Sequence, residues 1–323
     1  MSEKIYPGYL SDIEGIKVGH AQNYDALTGV TVIIPDRPVK CGVDVRGSAP
    51  GTRETDLLKS ENMVDEVNAV VLSGGSAFGL EASSGVMEYF REREIGLDTG
   101  FAKVPIVVSA VIFDLSVGDA NIRPDFKMGY NACENVSKDT NMGSIGAGTG
   151  ASVGKILGNK YAMKSGLGQA SMQFGELKIA ALTILNAFGD VFDSERRIQI
   201  AGCYSQEEEK FLDTLKVYEH LSDYDAFKGR NTTISIVATN GKLSKVQLNK
   251  VSQMAHDGYA RSIEPVHTMF DGDTIFSVAT GEVDCDVTFV GAMAAKCISR
   301  SIANAIYESS DGGDLKSYKS LKI

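Results

Sequence analysis

The sequence predicts a single α/β or α+β domain in which sheets and helices are layered. Three observations carry that expectation. Short β-branched runs alternate with stretches of helical spacing along the chain. No repeat period and no linker divides the 323 residues, a length that one large domain can fill. With 43% hydrophobic and 23% charged residues, the composition is that of a globular chain able to bury a core without disulfides.

Taken in order, residues 30–34 (VTVII) read as a strand closed by Pro35, and 68–72 (NAVVL) as a buried strand running into Ser73-Gly74-Gly75-Ser76. Residues 80–93 have helical spacing. Residues 104–108 and 111–113 are strand-like, 143–154 (GSIGAGTGASVG) form a glycine-rich loop or a closely approached strand, and 179–185 are apolar up to Asn186. An amphipathic helix is expected over 207–221, with Phe211, Leu215, Tyr218 and Leu221 on one side, followed by a loop over 223–231. Residues 232–239 (TTISIVAT) are a strand by β-branching. Ser244 is placed to cap a helix reaching about Ile263. Strands are expected over 274–279 and 287–290, a helix over 291–307, and a frayed tail after Ser309.

A net charge of −10 argues against a phosphate-backbone partner, so no nucleic-acid role is expected. Five scattered cysteines with no CxxC pair fit a reducing compartment. The start, MSEKIYPGYL, lacks an apolar signal core, and no run reaches the ~18 apolar residues of a span. The chain reads as soluble and cytoplasmic, with no membrane association.

Glycine is the one compositional departure, at 34 residues, about a tenth of the chain against a usual ~7%. The run GSIGAGTGASVGK is not a P-loop: counting back from Gly154-Lys155 puts Thr149 where the first glycine belongs, and Ile156 replaces the magnesium-binding Ser/Thr. Ser76 follows a strand and precedes a helix, but Gly74-Gly75-Ser76-Ala77-Phe78 lacks the closing glycine of a nucleophile elbow, leaving a helix cap or a substrate-contacting loop. The histidines His20, His220, His256 and His267 have no zinc spacing, so no metal is expected. Asp271-Gly272-Asp273 is either a hairpin turn or a carboxylate pair that shares a proton, holds a cation, or orients a hydroxyl or amine. In Asn231-Thr232-Thr233, a threonine hydroxyl gains a base if the chain is cut before it, because the freed α-amine can then take its proton. Uncut, the pair signals only β-propensity.

Several stretches together resemble one family: GTRETD at 51–56, VVLSGGSAFGL at 70–80, AVIFDL at 110–115, GAGTG at 146–150, KSGLG at 164–168, NTT at 231–233 and HTMFDGD at 267–273. In this order they resemble the L-aminopeptidase/D-esterase family, which includes β-peptidyl aminopeptidases and nylon-oligomer hydrolases, over residues 15–307. The resemblance implies a four-layer αββα sandwich and a precursor that cuts itself between Asn231 and Thr232, giving fragments 1–231 and 232–323 of one catalytic domain. It implies Thr232 as nucleophile, Asn186 as oxyanion donor, Lys164 as the site lysine although Ser165 stands where relatives have glycine, and Tyr130 as a weaker match to a site tyrosine. Asp271 and Asp273 match the pair that orients the nucleophile, written Asp-Gly-Asp in nylon-oligomer hydrolases and Ser-Gly-Glu in β-peptidyl aminopeptidases. Ser73, Gly74, Gly75 and Ser76 are expected to support substrate. The implied activity is hydrolysis of small peptides or peptide-like oligomers without a cofactor, in a homotetramer of processed protomers. Acyl transfer of the ornithine acetyltransferase type and an uncleaved, inactive binding protein are the alternatives.

Overall fold

The structure is a computed structural model that describes residues 6–221 and 231–321; the expected loop over 223–231 lies outside the described residues except for Asn231. The first sheet has the order β1 (Ile16–Asn23), β2 (Thr28–Pro35), β6 (Ala69–Ser73), β7 (Val107–Val111) and β4 (Thr52–Arg53). The second has the order β8 (Leu167–Phe174), β9 (Leu177–Ile184), β10 (Ile234–Gly241), β11 (Thr274–Val283), β3 (Val39–Val45) and β5 (Glu66–Val67). Most neighbours run antiparallel, but β6 with β7 and β10 with β11 are parallel.

The strands are buried on both faces, which is why they read as near-continuous apolar runs. In β6, Val70 and Leu72 face the second sheet, while Ala69 and Val71 face helices. In β10, Ile236 and Ala238 point between the sheets and Val237 points the other way. Helices α1 (Ala82–Arg91) and α2 (Phe126–Glu134) cover the outside of the first sheet through Val86, Phe90 and Ala132. Helices α4 (Lys245–Ser262) and α5 (Val287–Tyr307) cover the second through Leu248, Val251, Ile298 and Ile302. The layers are therefore helix, sheet, sheet, helix, as the resemblance implied.

Local chemistry decides where elements differ from expectation. The helix expected from residue 80 is preceded by a 3-10 turn, Ser76–Glu81, and Gly75 rather than Ser76 takes the capping position, with φ of 79°. Pro105 interrupts the expected 104–108 strand, so β7 begins at Val107. Residues 287–290 are not a strand but the first turn of α5. Asp286 accepts from the Phe289 N–H at 2.8 Å, and this cap outweighs the β-branched pair Val287-Thr288. The helix expected over 207–221 shrinks to α3 (Thr214–Glu219), because Asp213 caps Leu215 and Lys216 at 3.1 Å while Tyr204–Ser205 and Lys210–Phe211 form a small hairpin before it. The tail is not frayed. Asp311 accepts from the Ser317 N–H and hydroxyl, both at 2.8 Å, and Lys164 N–H reaches the Lys316 carbonyl at 2.8 Å. The run 143–154 holds a 3-10 turn, Gly146–Gly148, and a two-residue strand, Ser152–Val153.

Glycine sets one interlayer distance directly. A Cβ on Gly168 of β8 would lie 1.9 Å from the Ser301 carbonyl oxygen of α5, so helix and sheet meet backbone to backbone there. Gly168→Ala must push α5 outward and is expected to cost about 1–3 kcal/mol of overpacking. Urea unfolding midpoints of the two chains measure this, and an unchanged midpoint would remove Gly168 as a packing constraint.

Candidate active site

The site forms where the parallel strands β10 and β11 enter their sheet. Ile234 aligns with Thr274, and the alignment continues upstream as a bridge between Asn231 and Asp271. This register brings the Asn231–Thr232 peptide beside Asp271-Gly272-Asp273. The Asn231 carbonyl accepts from the Gly272 N–H at 3.2 Å and from the Thr232 hydroxyl, a shorter contact. A Cβ on Gly272 would stand 2.8 Å from Thr232 Oγ1 and 2.7 Å from the Ala49 carbonyl oxygen, so only glycine admits the hydroxyl this closely. On the other side, Thr232 N–H donates to the Asn186 main-chain carbonyl at 3.0 Å. Thr232 is buried, and its peptide bond is clamped from both strands that flank β10.

The carboxylates hold the backbone around this bond. Asp273 Oδ1 accepts from the Thr233 N–H at 2.8 Å, and its Oδ2 meets His267 Nδ1 at 2.8 Å. Asp271 Oδ2 accepts from Thr268, from the N–H at 3.0 Å and the hydroxyl at 2.5 Å. Burial, with Asp273 close by, pushes the Asp271 carboxyl up to about 7.

Asn186 follows β9 and is fully buried. Its Oδ1 accepts from Ser152 N–H at 3.1 Å and Lys155 Nζ at 2.7 Å, while its Nδ2 donates to the Phe113 carbonyl at 3.0 Å. In the intact chain the main-chain donor on the Asn231 carbonyl is therefore Gly272, with the Asn186 amide engaged elsewhere. Lys155 also reaches the Asn186 carbonyl at 3.3 Å, the same oxygen that accepts the Thr232 N–H. Burial pulls the Lys155 amine down to about 7 against the opposing fields of Asp271 and Asp114.

Lys164 is buried too, but its Nζ donates to the carbonyls of Gly148, at 3.2 Å, and Ser165, at 2.5 Å, and none of its hydrogen bonds reaches Asn186 or Thr232. Tyr130 sits in the outer helical layer, where its hydroxyl donates to Glu92 at 2.7 Å, with no hydrogen bond to the Thr232 cluster. The Ser73–Ser76 turn joins the cluster indirectly. Ser73 Oγ turns back on the Gly74 carbonyl, Ser76 N–H donates to the Ile112 carbonyl at 2.9 Å, and Gly75 N–H donates to Asp114 at 2.7 Å. The structure thus brings together Thr232, Asn186, Asp271 and Asp273, and leaves Lys164 and Tyr130 outside their hydrogen-bond network. Lys155 and His267 were missed as site residues. The sequence signal for Lys155 is its place at the end of the glycine-rich run 143–154, where close backbone approach leaves room for a buried amine.

A hydroxyl, a neighbouring carbonyl held by an N–H, paired carboxylates and a buried amine with a depressed pKa are the parts of acyl transfer from an amide. With the layered fold, they define a hydrolase of amide bonds. The chain belongs to peptidase family S58, whose profile matches residues 9–316. An uncharacterized aminopeptidase of Mycobacterium bovis is 36% identical over 342 residues, covering 97% of each chain. A 6-aminohexanoate-oligomer endohydrolase of Kocuria sp. strain KY2 is 34% identical over 288 residues, covering 86% of this chain and 76% of the relative. The L-aminopeptidase D-Ala-esterase/amidase of Ochrobactrum anthropi, described as a variant of the Ntn hydrolase fold, superposes with a TM-score of 0.70 at 18% identity, over 96% of this chain and 88% of its own. A β-aminopeptidase of Burkholderia sp. superposes with a TM-score of 0.66 at 18% identity, over 95% and 88% of the two chains.

The Asp271 shift has a testable sign. Below about pH 4 folded and unfolded chains both hold the proton. As pH rises towards 7 the unfolded carboxyl ionises while the folded one resists, so stability is lost across that window and is level above it. Asp271→Asn removes that loss. With Thr232→Ala in both chains, the thermal midpoint of the Asn variant is expected to gain on its parent from pH 4 to pH 7. A gap that narrows with pH would mean that Asp271 is not raised.

Proposed function

We propose that the chain cuts itself between Asn231 and Thr232, and that Thr232 then serves as an N-terminal nucleophile hydrolysing amide bonds of small peptides or peptide-like oligomers. The observation that carries this reading is the Asn231 carbonyl, set between the Thr232 hydroxyl and the Gly272 N–H. In the first step Thr232 Oγ1 bonds to the Asn231 carbonyl carbon and the C–N bond breaks. The hydroxyl proton leaves to a base, the departing nitrogen gains a proton, and an ester remains. Water then hydrolyses the ester, giving the Asn231 carboxylate and a Thr232 with free amine and hydroxyl.

No α-amine exists before the cut, so the first step needs another base. Lys155, near neutrality and one carbonyl away from the Thr232 nitrogen, supports that part better than Lys164. After the cut, the new amine, with an ordinary pKa near ~8, accepts the Thr232 proton in cis. Asp273 and Asp271 keep strand and turn in place, and the Gly272 N–H, with the Asn186 amide once it is freed from Phe113, stabilises the oxyanion. One such donor typically contributes about 10²–10³ in rate.

The substrate class rests on the relatives, one named as an aminopeptidase and one as a 6-aminohexanoate-oligomer endohydrolase. Threonine as nucleophile with the Asp-Gly-Asp pair favours the oligomer hydrolases. We extend the reading to a cytoplasmic homotetramer of processed protomers, an extension that rests on the family resemblance for the assembly and on the scattered cysteines for the compartment.

Denaturing gels and mass spectrometry of the purified protein are expected to show fragments 1–231 and 232–323, the second beginning at Thr232. Thr232→Ala is expected to stay full-length and to lose at least ~10³ of hydrolysis, while Thr232→Ser retains both steps. Rates on aminoacyl p-nitroanilides, β-peptides and 6-aminohexanoate oligomers select the substrate. A Thr232→Ala chain that still hydrolyses amides would falsify the nucleophile assignment.

A further inference from the structure

We propose that Asp114 is a positioning residue of this site: its carboxylate ties the Gly74-Gly75 turn to the segment that holds Asn186 and supplies a buried negative charge that acts on Lys155. The inference rests on the self-cleavage reading and adds to it a residue that the reading does not use.

Asp114 lies just past the end of β7 and is buried. Its Oδ1 accepts from the Gly75 N–H at 2.7 Å, and its Oδ2 accepts from the Thr28 hydroxyl at 2.7 Å. The backbone closes tightly around it. A Cβ on Gly74 would fall 2.1 Å from Asp114 Oδ2, and one on Gly150 would fall 2.7 Å from Asp114 Cβ, so the carboxylate occupies space that side chains at 74 and 150 would take. The residue before it, Phe113, gives its carbonyl to the Asn186 amide. One turn therefore orients both Asn186 and the Gly74-Gly75 loop.

The second part of the role is electrostatic. Lys155 feels Asp114 and Asp271, and Lys164 feels Asp114. Asp273 adds to the field at Asp271. Two lysines and these three carboxylates are all buried, where an unopposed charge is expensive. Burial drives both amines towards neutrality against the carboxylate fields, and pushes Asp114 up to about 6 against its hydrogen bonds from Gly75 and Thr28 and the field of Lys155. An Asp114 that only fixed a turn could be replaced by any acceptor of the same shape. One that also sets charge could not.

Asp114→Asn separates these roles, because the amide oxygen can still accept from Gly75 N–H and the amide N–H can donate to Thr28 Oγ1, while the charge is gone. The measurement is the rate at which freshly translated chain cuts itself between pH 5 and 9. Without the Asp114 charge, protonated Lys155 is less favoured, so the pH at which cleavage becomes fast is expected to fall by about one unit. Thr28→Val keeps the charge, drops one hydrogen bond and is expected to leave the profile unmoved. Asp114→Ala, which loses tether and charge together, is expected to slow cleavage at least tenfold at every pH.

An Asp114→Asn profile that superimposes on the parent overturns the charge role, as does an Asn variant that is folded by circular dichroism yet uncut at every pH. Failure of the parent chain to cut itself would instead refute the earlier reading. The Lys155 ε-carbon titration, followed by NMR in Thr232→Ala with and without Asp114→Asn, then tests the inference by itself. A lower midpoint in the Asn variant supports it, and equal midpoints overturn it.

Discussion

Two strands that enter a sheet side by side in the same direction have to be aligned residue for residue, because a slip of one position turns each side chain to the opposite face. Here the alignment is Ile234 with Thr274, held between the sheet core on one side and α4 and α5 on the other. Everything about the site follows from where that register leaves the residues just upstream. Thr233 meets the Asp273 carboxylate, and Asn231 pairs with Asp271. The Gly272 N–H falls on the Asn231 carbonyl. The catalytic geometry is thus an extension of core packing. Phe276 and Ile236, packed between the sheets, anchor the two strands whose register sets the place of Thr232.

The same packing makes the charges unusual. Asp114, Lys155, Lys164, Asp271 and Asp273 lie in a region where glycines remove the bulk that would separate them. The compositional excess of glycine finds its physical use here: Gly74 and Gly150 against Asp114, Gly272 against the Thr232 hydroxyl. Burial disfavours the charged form, which pushes Asp114 up to about 6 and Asp271 up to about 7 and pulls Lys155 and Lys164 down to about 7. Such groups can take and return a proton at little cost, which acyl transfer demands twice.

The layered architecture was legible because strands buried on both faces leave long apolar runs, and capped helices leave Ser244 in front of a periodic stretch. Thr232, Asn186, Asp271 and Asp273 were legible because each lies at or just outside the end of a core strand, where the family's motifs are anchored. The lysine was not. Ser152 pairs with Lys164 across a two-residue ladder, and Lys155 is three positions beyond Ser152, so both amines rise from neighbouring backbone beside glycines. Which one turns to Asn186 depends on the left-handed Gly154 and the 3-10 turn it opens at Lys155, a rotation that spacing alone does not encode. Likewise, nothing in residues 207–211 announces that Asp213, rather than Glu207, begins the helix. Glu209 adopts φ of 50°, and that local turn breaks the stripe.

Under the proposed self-cleavage, one set of groups would serve both a cut in its own chain and repeated cuts in others. The ladder of β10 begins at Ile234, and Thr232 and Thr233 are held from the Asn186 carbonyl, Asp273 and Thr274. A break before Thr232 would remove none of those contacts, so the proposed nucleophile would keep its position while the Asn231 acyl group lost its covalent tether. In that reading an incoming amide carbonyl would take the place that Asn231 held, facing the Gly272 N–H. Thr232 is buried in the intact chain, so the proposed hydrolysis of other amides requires the Asn231 side of the cut to move away first.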